Sequence, residues 1–485
     1  MSDKLSEHIT IQDTKMAEVL TKIITDKQIW VKERIKSQPL ETFQSQLILS
    51  DRCFYDALKT ENTAFILECK KASPSKGLIR NNFNLDYIAS VYNHYANAIS
   101  VLTDEKYFQG NLDFIHQVRK HVSQPILCKD FIISTYQVYL ARYYEADAIL
   151  LMLSVLDNAS YIELSTLAHS LNMGVLTEAS TTSEIERAIT LGAKVIGINN
   201  RNLKNLTTDL NRTKQLAPSI PKNITIISES GLYTNQQVRT LSQYANGFLI
   251  GSSLMAENDL ELAVRKVIYG EIKICGLTSA EDALQAYQAG ATFGGLIFAE
   301  HSPRYIDQKQ ALNIITGAPL RYVGVFQNHT IHQIITIVNA LSLSAVQLHG
   351  EEDQEYINSL RAQLPTSVQI WKAYGVNKQF PQLIENNVDR HLCDSQIENQ
   401  SGGTGKPFNW EILTGNTPIM LAGGLSPDNI HQAASLGCLG LDLNSGVESS
   451  PGKKDTQKLK LVFKRLRQYK KPECPTLSIL RKKNV

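Results

Sequence analysis

Charged and thiol side chains in this sequence fall at the ends of short apolar runs, where neighbours can share acid, base and anion-binding work. In the first half the runs end in Glu68 and Lys70, Lys129, Glu178, Asn199 with Arg201, Glu229 with Ser230, and Gly251 with Ser252. Two lysines among several carboxylates can tune one another's pKa and divide the donor and acceptor roles. Any one such pair can equally be a structural ion pair; the coincidence over six run ends is what points to proton transfer. The second half has different groups, Cys275 at the end of its first run and Asp394 at the end of its sixth. One can donate a proton while the other abstracts, provided the thiol is lowered enough to act as a base. Arg304, in Ser-Pro-Arg-Tyr, is suited to take a carboxylate bidentately, with a solvent-facing loop arginine as the alternative. His349, in Gln-Leu-His-Gly, is either a site group or a satisfied structural histidine.

Small residues close the last two runs of each half. Ser230-Gly231 and Gly251-Ser252 in the first are matched by Gly423-Gly424 and Ser445-Gly446 in the second. Backbone N–H groups at such places can approach a phosphate closely, so both halves are expected to bind phosphorylated substrates. The loop Gly402-Gly403-Thr404-Gly405 reads as a mobile lid or a phosphate contact through Gly403, with a plain flexible loop as the competitor.

The apolar runs themselves state the architecture. Eight are rich in β-branched residues, at 64 to 70, 98 to 104, 125 to 130, 148 to 153, 174 to 180, 195 to 201, 225 to 230 and 247 to 252. A second eight follow at 271 to 276, 293 to 299, 321 to 327, 345 to 350, 368 to 374, 389 to 395, 418 to 424 and 440 to 446. Each is followed by a longer helix-like stretch, which implies parallel sheet buried on both faces. Eight such units in roughly 200 to 250 residues make a (β/α)8 barrel. The fold class is therefore α/β, two tandem (β/α)8 TIM barrels, with a doubly wound sheet as the alternative. Barrel catalysis sits at the C-terminal ends of the strands, which is where the reactive residues fall.

A helical period over 13 to 37, with apolar Ala17, Leu20, Ile23, Ile24, Trp30, Val31 and Ile35, precedes the first strand. The expected domains are 1–269, a barrel with that helical extension, and 270–469, a second barrel. The remainder, 470–485, is a basic tail that reads as a solvated end.

The chain has 485 residues, of which 43% are hydrophobic and 20% charged, a globular balance. Its 49 Lys and Arg against 47 Asp and Glu leave a net charge of +2, so no bulk field attracts nucleic acid. Seven cysteines, none in a C-x-x-C pair, argue against a disulfide framework or a zinc site. No metal or other cofactor is called for. With no apolar stretch of membrane-spanning length and no signal-like start, a cytoplasmic protein without membrane partners is expected, and a monomer.

The motifs together name a family. The first half resembles indole-3-glycerol-phosphate synthase through ECKKASPSKG (68–77), CKDF (128–131), LTEA (176–179), INNR (198–201), SESG (228–231) and IGSSLM (250–255). The second is similar to phosphoribosylanthranilate isomerase through KICGLT (273–278), SPRY (302–305), VQLHG (346–350), GGTG (402–405), LAGGL (421–425) and NSGVE (444–448). Coverage runs from about 17 to 469, in the order of the fused bifunctional enzyme of bacterial tryptophan synthesis. Two departures are small: Ala179-Ser180 after Glu178, and Cys393 before Asp394, where bulkier and apolar residues are usual.

The resemblance implies phosphorylated anthranilate-sugar substrates. In the second barrel phosphoribosylanthranilate becomes the open-chain carboxyphenylamino-deoxyribulose phosphate, with Asp394 protonating the ring oxygen and Cys275 removing the C2' proton. The first barrel then closes the indole ring with loss of carbon dioxide and water. There Lys129 is the implied general acid, Lys70 and Glu178 serve the later proton transfers, and Glu68 positions the lysines. Asn199, Arg201 and Phe131 are implied substrate contacts, and Ser73, Ser230, Gly231, Gly251 and Ser252 are implied to hold phosphate.

Overall fold

The computed structural model describes residues 18–202, 206–377, 379–397, 400–401, 407–413 and 418–469. The expected Gly403 contact and the basic tail at 470–485 therefore lie outside the described residues. The chain divides into two compact units, one reaching Val264 and the other running from Arg265 to Gln468.

The first unit is a closed barrel of eight parallel strands. In chain order they are β1 (Ala64–Cys69), β2 (Ala98–Leu102), β3 (Ile126–Lys129) and β4 (Ala148–Met152), then β5 (Gly174–Ala179), β6 (Val195–Asn199), β7 (Thr225–Glu229) and β8 (Gly247–Ile250). Strand order follows chain order and β8 returns to β1. Helices cover the outside and side chains fill the inside, which is why the strands are apolar almost throughout. Polar residues survive near the C-terminal ends, where register brings them together: Asn199 pairs with Glu229, and Met152 with Glu178.

The helical preface is α1 (Glu18–Ser37), whose buried residues are Leu20, Ile23, Ile24, Lys27 and Val31. Spacings of three, four and seven put them on one helical face. Lys27 is a charge in that apolar stripe, and its Nζ lies 2.7 Å from both Asp104 and Asp130, just beyond the ends of β2 and β3. A buried ammonium needs such partners, so it ties the helix to this end of the barrel.

The second unit is again eight parallel strands: β9 (Glu271–Ile274), β10 (Phe293–Ile297), β11 (Arg321–Phe326), β12 (Ala345–Leu348), β13 (Gln369–Val376), β14 (Arg390–Ile397), β15 (Ile419–Leu421) and β16 (Gly440–Leu443). Pairing of β13 with β14 closes it. Phe293, Val323, Ala345, Trp371, Leu392 and Met420 form a buried cluster contributed by successive strands, a packed interior rather than a pore.

Every run expected to be a strand is one. The largest differences fall on β15 and β16, which end at Leu421 and Leu443 instead of 424 and 446, while β13 and β14 run two residues past 374 and 395, to Val376 and Ile397. Gly375 pairs with Asp394 and Val376 with Ser395, so the two strands continue together past the point where the apolar pattern fades. Asp394 thus lies within its strand rather than at its end.

Candidate active sites

One open cavity at the C-terminal end of the first barrel is lined by Glu68, Lys70, Ser73, Lys129, Phe131, Glu178, Asn199, Arg201, Ser230, Gly231, Gly251 and Ser252. Every residue singled out in this half of the sequence is among them. At the centre Lys129 Nζ stands 2.6 Å from Glu229 Oε2 and 3.8 Å from Glu178 Oε2. Burial opposes the Lys129 charge, but Glu229, Glu178 and Glu68 hold the ammonium above the ordinary lysine value. Glu178 goes the other way from a usual carboxylate: burial and the Glu229 charge push it up to about 7, against Lys129 and the Asn199 hydrogen bond. Asn199 Nδ2 donates to Glu178 Oε1 at 3.1 Å, and its Oδ1 accepts from the Arg201 backbone N–H at 2.9 Å. Lys70 and Glu68 form an ion pair.

The loop after β7 turns through Ser230 (φ 69°) and Gly231 (φ 79°), left-handed backbone that only Gly adopts at little cost. Gly251 has another reason to be Gly. A Cβ there would collide with the Glu68 carboxylate, so the missing side chain makes room for a buried acid.

Two features of this mouth were not singled out as site residues in the sequence. Glu229 was noted only among the strand-end carboxylates, yet it is the nearest partner of Lys129. Val19, Leu20 and Ile23 of α1 line the cavity as an apolar wall. The helical period reveals the common face of Leu20 and Ile23 but not Val19; only the tertiary placement of α1 reveals what that face covers.

In the second barrel the reactive residues again converge at the C-terminal end. Cys275 follows β9 and is 5% exposed. Burial pushes its thiol up, and the positive charge of Lys273 pulls it down. Asp394 is pushed up to about 7, by burial first and then by the charge of Asp442. His349 Nε2 lies 3.8 Å from Asp394 Oδ2. Burial lowers that imidazole to about 4, with Lys273 and Lys372 adding to the effect, so at neutral pH it is an uncharged neighbour of the acid. Its Nδ1 is 3.3 Å from Gln347 Nε2.

Arg304 does take a carboxylate bidentately, but it is the protein's own. Nε and Nη2 donate to Glu448 at 2.7–3.1 Å, and burial at 8% exposure favours that pairing over water. The expected open fork of Arg304 is therefore filled by Glu448, and Nη1 is the guanidinium nitrogen left outside that pairing. Lys454 Nζ also contacts Glu448, at 2.7 Å. Gly423 (φ 87°) and Gly424 (φ 63°) form the turn after β15, and Ser445 with Gly446 the turn after β16.

Two (β/α)8 barrels, each with a buried acid raised to about 7 at the catalytic end and paired small-residue turns, define a two-site enzyme of acid–base chemistry. The family model of indole-3-glycerol phosphate synthase matches residues 20–267, and that of N-(5'phosphoribosyl)anthranilate (PRA) isomerase matches 272–465. The tryptophan biosynthesis protein TrpCF of Vibrio parahaemolyticus is 64% identical over 471 residues, covering 96% of this chain and 98% of its own. That of Vibrio cholerae is 62% identical, covering 97% and 100%. A crystal structure of phosphoribosyl anthranilate isomerase from Thermus thermophilus is 30% identical with a TM-score of 0.38, covering 41% of this chain and all of that one. The chain belongs to the bifunctional tryptophan-biosynthesis family that joins these two enzymes, synthase first and isomerase second.

Proposed function

We propose that the two mouths act in sequence through the residues placed in them above. The second barrel converts N-(5'-phosphoribosyl)anthranilate to 1-(2-carboxyphenylamino)-1-deoxyribulose 5-phosphate. Asp394 gives its proton to the ribose ring oxygen as the C1'–O bond breaks, leaving an iminium. Cys275 as thiolate takes the C2' proton that the iminium has acidified, and the resulting enol becomes the ketone. His349 and the turns at Gly423-Gly424 and Ser445-Gly446 hold the substrate, with Arg304 near its carboxylate.

The first barrel cyclises that ketone to indole-3-glycerol phosphate. Lys129 is the general acid at the carbonyl oxygen, its ammonium maintained by Glu229 and Glu178. The ring carbon attacks, carbon dioxide leaves, and water is eliminated with Lys70 and Glu178 moving the protons. Glu68 orients Lys70. Asn199, Arg201 and Phe131 hold the anthranilate end, while Ser73, Ser230, Gly231, Gly251 and Ser252 hold the phosphate. A site that binds a leaving carboxylate must not stabilise it more than the transition state, so Arg201 is a loose contact.

The observation that carries this reading is one carboxyl raised to about 7 in each mouth, Glu178 and Asp394, poised to exchange a proton at neutral pH. The synthase barrel with its helical extension occupies 1–269 and the isomerase barrel 270–469, and the enzyme works as a cytoplasmic monomer on soluble phosphorylated substrates, without nucleic acid or membrane. Six free cysteines and no helix long and apolar enough to cross a membrane, among the described residues, support that setting. The test assays each activity in Cys275→Ala and Lys129→Ala proteins. The first should lose the isomerase and keep the synthase, the second the reverse, with losses of roughly two to four orders of magnitude. Retained isomerase turnover in Cys275→Ala removes the thiol from the mechanism.

A further inference from the structure

Beneath Cys275 and Asp394 lies an ion pair to which the mechanism above gives no part. Lys273 on β9 and Asp442 on β16 are registered directly opposite each other on adjacent strands. Lys273 is fully buried and Asp442 is 8% exposed. Nζ and Oδ2 are 2.7 Å apart, and the other carboxylate oxygen, Oδ1, is buried with no hydrogen-bond partner among the described residues. Both Cys275 Sγ and Lys273 Cε pack against Gly295, where a Cβ would come within 2.7 Å of the sulfur and 3.0 Å of the methylene. The absence of a side chain at Gly295 thus lets the end of the Lys273 side chain lie close to the thiol.

A barrel interior has no general need of such a pair. Apolar residues of similar volume usually stabilise as well or better, because two charges must be taken out of water. Here the two charges also lie near two reacting groups that require opposite states, a thiolate and a protonated carboxyl. The ammonium favours negative sulfur, and the Asp442 carboxylate disfavours a second negative charge on Asp394.

We propose that Lys273 and Asp442 are the positioning pair of the isomerase: one buried ion pair holds Cys275 as base and Asp394 as acid at the same time. The other charged groups facing the thiol are Lys454 and Arg304, both engaged by Glu448. Facing Asp394 are Asp442, Lys273 and the neutral His349, with the Ser395 N–H donating to Oδ1 at 2.7 Å. Asp442 is the only anion in that set, and it is the group whose removal should relieve Asp394.

The inference rests on the roles proposed for Cys275 and Asp394, yet it can be tested without turnover. The probe is iodoacetamide: alkylation of Cys275 is followed against pH by mass spectrometry of its peptide, in the full chain, with circular dichroism establishing that each protein is folded. Asp442→Asn leaves the ammonium without its counter-ion, so half-alkylation should move to lower pH. Lys273→Met combined with Asp442→Asn removes both charges, and half-alkylation should move to higher pH, by about one pH unit. The double variant leaves no unpaired buried charge and serves alone if Asp442→Asn does not fold. In both, the isomerase kcat should fall at least tenfold with KM changed by less than about threefold. Opposite shifts are not expected from a pair that only supports the fold. Superimposed curves, or shifts in one direction for both variants, overturn the pair's role, whereas turnover by Cys275→Ala overturns the mechanism on which it rests.

Discussion

Lys129 Nζ is held 2.6 Å from Glu229 Oε2, and the same glutamate is the charge that, after burial, does most to raise Glu178. One carboxylate therefore favours the charged form of Lys129 and the neutral form of Glu178, the two groups to which proton transfer is assigned in the proposal above. Glu229→Gln should lower both groups together. Glu178 is protonated below about 7 and ionised above, so the corresponding limb of the synthase pH profile should move to lower pH in this variant. Synthase kcat should fall by roughly 10²-fold or more, as for loss of a group assisting proton transfer. A profile of kcat/KM against pH, measured beside that of Glu178→Gln, in which the limb should vanish, checks the assignment.

The raised Asp394 makes a prediction about stability. Its folded value of about 7 lies above the ordinary 3.8, so between those limits the folded chain binds the proton more tightly than the unfolded chain. Its contribution is fully present below pH 4 and is lost as pH rises through 7. Asp394→Asn cannot ionise and escapes that loss. The variant should lack isomerase activity yet be more stable than the parent at pH 8, by on the order of 1 kcal/mol or more, with the difference shrinking at pH 5. Thermal melting at the two pH values measures it; a difference that grows toward pH 5 would reverse the sign required here.

Phosphate or sulfate should compete with substrate at both mouths, raising KM and leaving kcat unchanged. Substitution at the glycines should separate two roles. Gly424 has φ 63°, so Gly424→Val strains the turn after β15 and should raise the isomerase KM. A Cβ at Gly251 meets the Glu68 carboxylate, so Gly251→Val should lower the synthase kcat as well as raise KM. Steady-state kinetics with and without added phosphate distinguishes these outcomes, and phosphate-insensitive rates in both reactions would contradict the sites.

Much of this is legible in the residue types alone. Parallel strands buried on both faces leave continuous apolar runs, so sixteen strands and the side chains at their C-terminal ends could be read directly from residue types. What escaped depends on contacts between distant segments. Arg304 has the spacing of an open anion site, and only the fold brings Glu448 to fill its fork. Lys273 looks like the first polar residue of a motif rather than half of a buried pair, because its partner is 169 positions away. Lys27 breaks an apolar stripe for a reason that lies beyond β2 and β3.

Two independent sites working in succession are the core of this account, and mixing two disabled proteins tests it most directly. Cys275→Ala protein should keep only the synthase and Lys129→Ala protein only the isomerase. Each alone should make no indoleglycerol phosphate from phosphoribosylanthranilate. Together they should make it after a lag, which shortens as the Cys275→Ala protein is added in excess, because the intermediate carries a phosphate and a carboxylate and diffuses freely in water. A mixture that accumulates the intermediate without ever forming indole product, although the synthase partner consumes added intermediate, would contradict free transfer between the two sites. A mixture that forms no intermediate at all would contradict the assignment of the isomerase.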